Sequence, residues 1–429
     1  MYRVALVVLL ILLLGVRFWF YYKDLPEYKD GQGVRAVFVV EGEPRVLNGR
    51  QNFKVKDKYG TSISVMTTMS PKVESGDKIF IDGVFTKKLY QDHFFISLNF
   101  PKIQIQESDK NILTKSANWI KKRAQTLYQS HLSPVSSSLL LGMIFGGKYG
   151  MDKSFEEDLR VTGVMHVVAA SGMNVTFVTG AMIAVLGTFL KRQFVLVVSG
   201  FGVVFYMFLA GFEESIVRAG VMALLAFGAG LFGRQYFGVY ALGVTFYLMT
   251  FYSPNMLFGV GFQLSFLATL GILTVKPILD GFRGFARLGS LGQDLTTTLA
   301  AEVGVTPVLL SVFGSVGILS IPANVLALWV VPIVMTFGAM GLIAGIFFEP
   351  LGVLFLYLSM PFLWYFEWVV SFFGGFGLNW VVQALPWEIV LGYYLVVGGI
   401  LIFHKLRSCH SREGGNPAPS RNKSESSIF

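Results

Sequence analysis

The sequence predicts a multi-span α-helical membrane protein of about ten transmembrane helices, carrying a small extracytoplasmic β-barrel domain near its N-terminus. Three observations predict it. Of 429 residues, 53% are hydrophobic and only 14% charged, with a mean hydropathy of +0.60; an ordinary soluble domain is roughly 25% charged. From Gly163 to Phe403 the chain is almost continuously apolar. Residues 23–160 interrupt that character with short alternating stretches and turn residues. This composition excludes disorder, a collagen-like fibre and a disulfide scaffold, and Cys409, the single cysteine, has no partner for an intrachain disulfide.

The first element is an apolar run over residues 4–22, broken only by Arg17. A helix needs about 20 such residues to cross the hydrocarbon core. No small-x-small cleavage site follows, and Phe18-Trp19-Phe20-Tyr21-Tyr22 has the composition of an interfacial aromatic belt, so residues 1–22 read as an uncleaved anchor and not a signal peptide. Residues 23–108 hold five β-type stretches, at 34–40, 53–55, 63–68, 78–85 and 94–105, punctuated by Gly49, Gly60, Gly76 and Gly83. Five short strands in so little chain suit a closed barrel of the OB-fold kind.

Residues 109–160 return to helical character. A basic amphipathic helix over 111–132 has the make-up of one that lies on a membrane surface. The apolar stretch 135–145, ended by Gly146-Gly147, is too short to cross and reads as re-entrant or interfacial. Residues 161–404 form the polytopic region, with spans near 164–190, 194–211, 215–232, 236–252, 256–275, 297–313, 320–347, 351–374 and 386–404. Loops alternate in charge. One side holds Lys191, Arg192, Arg234, Lys276, Arg283, Arg287, Lys405 and Arg407, and the other Glu213, Glu214 and Glu388. By the positive-inside rule the basic side is cytoplasmic, which puts both termini in the cytoplasm, residues 23–160 outside, and the protein in the inner (cytoplasmic) membrane. Residues 405–429 read as a disordered cytoplasmic tail.

Catalytic chemistry has no visible home. The five histidines, His93, His131, His166, His404 and His410, show no metal-ligand spacing, and the chain lacks a Walker A motif, a GxSxG elbow and a dinucleotide fingerprint. The chain reads as a non-enzyme without cofactor or metal. Polar residues inside apolar segments are the better candidates, because they are costly there and usually face a cavity or a partner. They fall into clusters. His166, Ser171 and Asn174 lie in the segment Gly163–Asn174, where eight residues would put His166 and Asn174 on one face of an unbroken helix. Glu213, Glu214, Ser215 and Arg218 form a second, in which Arg218 either snorkels outward, pairs with Glu214, or faces a water-filled route where it contacts a passing phosphate. Gln263 and Ser265 form the third; Glu302, Asn324 and Glu367 are scattered beyond it, and Pro307 and Pro332 should kink their helices. Helix–helix hydrogen bonding accounts for such residues equally well at this level.

In this order the clusters resemble the membrane core of the ComEC competence-protein family of bacterial DNA-uptake channels. The entry segment is Ser133-Pro134 through Leu139-Leu140-Leu141-Gly142, then Phe155-Glu156 and Arg160 to His166. Ala169-Ala170-Ser171-Gly172-Met173-Asn174-Val175 resembles the family's Ser-Gly-Leu-His-Val segment, and Ser215-Ile216-Val217-Arg218-Ala219 its Ser-x-x-Arg-Ala helix. Gly261-Phe262-Gln263-Leu264-Ser265 is similar to its Gly-Phe-Gln-Leu-Ser segment, and the similarity runs from about 133 to about 347, with a weaker one over 31–106. Asn174 stands where a second histidine is common, which argues against a paired-histidine role, and Glu302 stands near a usual glutamine. Many members continue into a metallo-β-lactamase-like domain; this sequence ends first, so no nuclease activity carries over.

The resemblance implies a channel subunit that passes single-stranded DNA into the cytoplasm during natural transformation. His166, Ser171, Asn174, Glu214, Ser215, Arg218, Gln263, Ser265, Glu302 and Asn324 would line or brace the path. Implied partners are single-stranded DNA and membrane lipids, with a separate nuclease, a DNA receptor and a helicase-type motor. Residues 23–160 carry 21 Lys and Arg against 16 Asp and Glu, a net +5 that suits a weak hold on DNA. Phe38, Phe53, Tyr59, Phe80 and Phe85 are available to stack bases, though a barrel core needs most of them. Two other classes stay open here: a small-solute or lipid transporter built on the same buried polar groups, and an inactive scaffold.

Overall fold

The computed structural model describes residues 2–23, 28–47, 49–57, 61–90, 93–106, 112–147, 149–168, 171–317, 319–377, 379–381 and 385–413. It opens with helix α1 (Tyr2–Lys23), followed by six strands: β1 (Gly33–Leu47), β2 (Arg50–Lys56), β3 (Ser62–Thr68), β4 (Lys78–Tyr90), β5 (His93–Asn99) and β6 (Lys102–Gln106). β1 pairs antiparallel with both β2 and β4, β2 with β3, and β4 with β5. The barrel closes through one parallel pairing, β3 with β5. That ring, β1-β2-β3-β5-β4-β1, is the OB-fold topology. Alternation drives it: Gln51, Phe53 and Val55 of β2 and Ile63, Val65 and Thr67 of β3 point inward. The single stretch expected over 94–105 is split by Pro101, and its two halves, β5 and β6, both pair with β4.

The barrel core takes the aromatic residues that the sequence offered for base stacking. Phe38, Phe53 and Phe85 are at most 5% exposed and fill it with Ile79, Ile81 and Leu98, so they do not reach a ligand. Tyr59 lies outside the described residues. Phe80 is half-buried on the outer side. An exposed aromatic that composition did not single out is Phe100, with the Arg50 guanidinium 5.2 Å above its ring.

Helix α2 (Ile112–His131) was expected on the membrane surface; the structure instead sinks its apolar face into protein. Its first half is tied to the barrel, with Asn118 Nδ2 donating to Ser75 O (3.2 Å) and Lys122 paired with Glu74 (2.6 Å). Its second half enters the bundle, where Ala124, Leu127 and Tyr128 are buried and the Tyr128 hydroxyl donates to Gly338 O (2.8 Å). Helix α3 (Pro134–Phe145) has only 12 residues and is enclosed by protein from Ser137 to Phe145, the condition under which a short helix is tolerated at membrane depth. Helices α4 (Lys153–Val161) and α5 (Met165–Val168) follow.

The bundle proper comprises α6 (Gly172–Gly187), α7 (Arg192–Leu209), α8 (Glu214–Leu231), α9 (Gly238–Tyr252), α10 (Val260–Thr274), the short α11 (Lys276–Leu279) and α12 (Arg283–Ala286), and α13 (Ser290–Phe313). Then come β7 (Ser315–Gly317), α14 (Ser320–Leu328), α15 (Val331–Phe347), α16 (Glu349–Gly374), β8 (Asn379–Val381), which pairs with β7, and α17 (Trp387–Glu413). Arg17, the one charge inside the N-terminal apolar run, donates to the carbonyls of Phe251 (3.1 Å) and Tyr252 (3.3 Å) and so caps the C-terminus of α9. α10 and α13 cross at backbone contact: a Cβ on Gly271 would stand 2.2 Å from Ala300 O, and one on Gly304 2.3 Å from Leu267 O. Around the outside, Phe201, Phe232, Tyr240 and Trp364 are each at least 70% exposed, a surface suited to lipid.

Among the described residues, five helices are long and apolar enough to cross a membrane, or six if α14 and α15, bent by 43°, are one span. The ten expected are not reached on this measure; α6, α9 and the apolar part of α17, Trp387–Phe403, are among the helices that fall short of it. Strict alternation also fails at one point. It would put the α15–α16 turn opposite residues 23–160, yet Arg123 of α2 pairs with Glu349 (3.1 Å) and donates to Gly345 O (3.3 Å). Strict alternation and a placement of all of residues 23–160 on one side therefore do not both hold: the two ends of the 26-residue α16 meet Arg123 and Asp158, both within 23–160. α17 continues as helix past 404 to Glu413, and residues 414–429 of the expected tail lie outside the described residues.

Candidate functional site

Three polar segments far apart in sequence meet at Arg218, one turn into α8. Its guanidinium donates through Nη1 to Ser265 O on α10, 47 residues away. Nη2 lies against the N-terminus of α6, where a Cβ on Gly172 would come within 2.6 Å of it. A side chain at position 172 would have to push the guanidinium aside. Arg218 is 9% exposed, and its Nε has no hydrogen-bond partner among the described residues. One turn earlier, Ser215 receives a hydrogen bond from Ser265 Oγ (3.0 Å).

Glu214 does not pair with Arg218, as its i,i+4 position suggested. Its carboxylate turns to the N-terminus of α10, so close to the chain that a Cβ on Gly259 would be 2.7 Å from Oε1 and one on Gly261 3.1 Å from Oε2. The unbonded N–H groups and positive end of the helix dipole there explain the attraction. Gln263 Nε2 donates to Leu257 O (3.1 Å), locking the 3₁₀ turn Pro254–Phe258 onto α10. The Gly-Phe-Gln-Leu-Ser segment is thus a helix start built to receive α8.

His166 and Asn174 do not share an unbroken helix: α5 ends at Val168, α6 begins at Gly172, and residues 169–170 lie outside the described residues. His166 is exposed, with Nδ1 2.9 Å from Gly163 O. Asn174 is fully buried. It donates through Nδ2 to Met143 O (2.6 Å) and accepts from Ser171 Oγ (2.9 Å), while Tyr206 OH donates to Ile144 O (2.8 Å). Two residues from different helices thereby satisfy carbonyls at the C-terminus of α3 that the helix itself leaves open.

A separate group surrounds Glu302 in the middle of α13. Thr306 Oγ1 donates to its Oε2 (3.1 Å), and Ser320 at the start of α14 lies near the same carboxylate. Asn324, one turn beyond Ser320, is 4% exposed with no partner for Oδ1 among the described residues. Glu367 lies elsewhere, accepting from Ser136 Oγ (2.5 Å). Sequence reading missed Gly172, Tyr206, Thr306 and Ser320; of these, Gly172 carried a signal, as the small residue next to the polar Ser171. Among the described residues no group of three or more His, Cys, Asp or Glu is placed to hold a metal ion.

The family model for competence proteins matches residues 143–407, from the end of α3 into α17, and takes in every residue of both groups. The chain belongs to the competence protein family. Its apolar helices and this match together mark a membrane protein. Similar proteins include ComE operon protein 3 of Bacillus subtilis (strain 168), 24% identical over 259 residues, which are 59% of this chain and 32% of that one. An uncharacterized protein of Aquifex aeolicus (strain VF5) is 27% identical over 281 residues, 65% of this chain and 61% of that one. The matched region is thus about a third of the length of the first competence relative and three fifths of the second. No solved structure matches.

Proposed function

We propose that this competence-family chain serves DNA uptake in natural transformation, passing a single DNA strand across the cytoplasmic membrane into the cell. The observation that carries the reading is the convergence on Arg218. Three segments matched by the family model meet at one guanidinium inside an apolar bundle: Arg218 of α8, Ser265 O of α10, which accepts from it, and Gly172 of α6, which packs against it. Arginine is the side chain best shaped to meet phosphate, and a buried one with an open Nε retains a donor for it.

The remaining parts fit this role. The barrel faces the outer side with a net positive charge and offers the Arg50–Phe100 pair to a base and its phosphate. The basic loops after α6, α8 and α10 hold the opposite face in the cytoplasm, with α1 placing the N-terminus there. α1, α6, α9 and α17 complete the bundle around the longer spans. This reading gives the chain no catalytic step. Strand separation and pulling fall to partners: a DNA receptor, a nuclease and a helicase-type motor.

The test is uptake of fluorescent DNA by a deletion strain complemented with this chain or with Arg218→Ala. Loss of uptake at unchanged membrane level is the expected result. Normal uptake by a well-inserted Arg218→Ala removes Arg218 from the path.

A further inference from the structure

Helices α7 and α8 form an antiparallel hairpin whose register is set by glycines. A Cβ on Gly200 would stand 3.5 Å from Leu224 Cδ2, and one on Gly230 3.2 Å from Leu196 Cδ1. Carried one turn further, this register puts Arg192, the first residue of α7, opposite Arg234, just past the end of α8. Both backbones are held. Val195 N donates to Lys191 O (3.1 Å), and Arg234 N donates to Ala229 O (2.8 Å) across a left-handed Gly233.

Between the two helices an open groove of about 290 Å³ runs inward from this basic end. Leu196, Gly200 and Val204 line one wall at every fourth position, and Leu224, Gly228 and Leu231 line the other. No residue lining it has a polar side chain. From Leu196 to Val204 the groove is about 12 Å long, within one half of a hydrocarbon core about 30 Å thick. Gly228 leaves it open: a Cβ there would meet nothing within 4 Å.

The basic end calls for an anion. Lys191, Arg192 and Arg234 are exposed, and among the described residues none of them forms an ion pair. Lys191 and Arg192 also stand at the start of a helix with no acidic residue in its first turn and no side-chain cap, where the helix dipole disfavours cations. Two arginines facing each other across a hairpin repel unless an anion lies between them. Guanidinium groups and unbonded helix N–H groups both suit phosphate. An apolar slot that opens on such an end matches a phospholipid, its acyl chain in the slot and its headgroup at the arginines. Three cations favour one with a net negative charge.

We propose that the α7–α8 groove, with Lys191, Arg192 and Arg234 at its mouth, binds a single anionic phospholipid. The phosphate bridges the two arginines and staples the end of the hairpin remote from Arg218. The site stands whether or not the bundle passes DNA.

The full chain is melted by heat in nanodiscs of phosphatidylcholine containing increasing shares of phosphatidylglycerol. Phosphatidylglycerol is expected to raise the melting temperature by a few degrees, saturably. Arg192→Gln and Arg234→Gln should each raise the half-saturating share about tenfold, the worth of one charge-assisted hydrogen bond. Gly228→Leu keeps every charge but fills the slot, and should abolish the shift. Glycerol phosphate in solution, a headgroup without a chain, should have no effect. Identical wild-type curves with and without phosphatidylglycerol overturn the proposal. An undiminished shift in Gly228→Leu overturns it too, since charge alone would then suffice, and so does an equal shift from glycerol phosphate. The two wild-type comparisons decide the matter even where a variant fails to fold.

Discussion

The Tyr393 hydroxyl on α17 donates to Val303 O on α13 (3.1 Å), the one carbonyl that Pro307 cannot serve. Proline at position i removes the N–H that would bond the carbonyl at i−4, and here a tyrosine from another helix replaces it. Its neighbour Tyr394 donates to the next carbonyl along, Gly304 O (2.6 Å). Tyr393→Phe is expected to leave Val303 O unsatisfied and cost about 1–3 kcal/mol. Pro307→Ala restores the N–H, so Tyr393→Phe on that background should cost little. Denaturant unfolding of the four chains of the cycle measures the coupling; additive costs would show that the hydroxyl does not stand in for the missing N–H.

Gly172 and Arg218 make a second pair. The methyl group of Gly172→Ala would stand 2.6 Å from Nη2, so the guanidinium must move away from the α6 N-terminus. Overpacking of this kind costs about 1–3 kcal/mol. Uptake of labelled DNA is expected to fall with it. Arg218→Lys keeps the charge but cannot reach Ser265 O and the α6 N-terminus from one planar group, and should be as defective as Arg218→Ala. Wild-type uptake by Arg218→Lys would show that charge alone suffices.

The C-terminus of α3 offers a stability test that is free of DNA. Asn174 and Tyr206 serve the adjacent carbonyls of Met143 and Ile144. Asn174→Ala and Tyr206→Phe should each cost about 1–3 kcal/mol, and together less than their sum by at least about 0.5 kcal/mol. Thermal unfolding in nanodiscs reads both. Strict additivity would mean that the two caps act independently.

Much of this was legible in the sequence. Period-two alternation with turn glycines announced the five barrel strands, because one face of each must be buried and the other wetted. The apolar runs announced α7, α8, α10, α13 and α16, since nothing else satisfies the backbone in lipid. Two things were not legible. The depth of α2 escaped, because Lys121, Lys122 and Arg123 suggest a surface helix whether their partners are lipid headgroups or, as here, Glu74 and Glu349. The roles of Glu214 and Arg218 escaped because i,i+4 spacing describes one helix in isolation, and each residue turned to a different neighbour. Gly172 shows the general limit: its meaning lies in Arg218, 46 residues away, and no local pattern encodes that.

Glu213 supplies a pH test at the junction of barrel and bundle. It sits in the turn before α8, exposed at its own surface yet with protein on several sides, and the water this displaces pushes its carboxyl up from 4.5 to about 7, with Lys121 of α2 and Lys54 of the barrel opposing the rise and Glu41 of the barrel and Glu214 adding to it. The sign follows from proton uptake. Between pH 4.5 and 7 the folded chain holds a proton on Glu213 that the unfolded chain has lost, so this group's contribution to stability falls as pH rises through that window and levels off above it. Glu213→Gln cannot ionise. Its melting temperature relative to the wild type should therefore climb from pH 5 to pH 7 and stay level at pH 8. Equal pH profiles for the two chains would show that the protein around Glu213 does not perturb its carboxyl in the folded state.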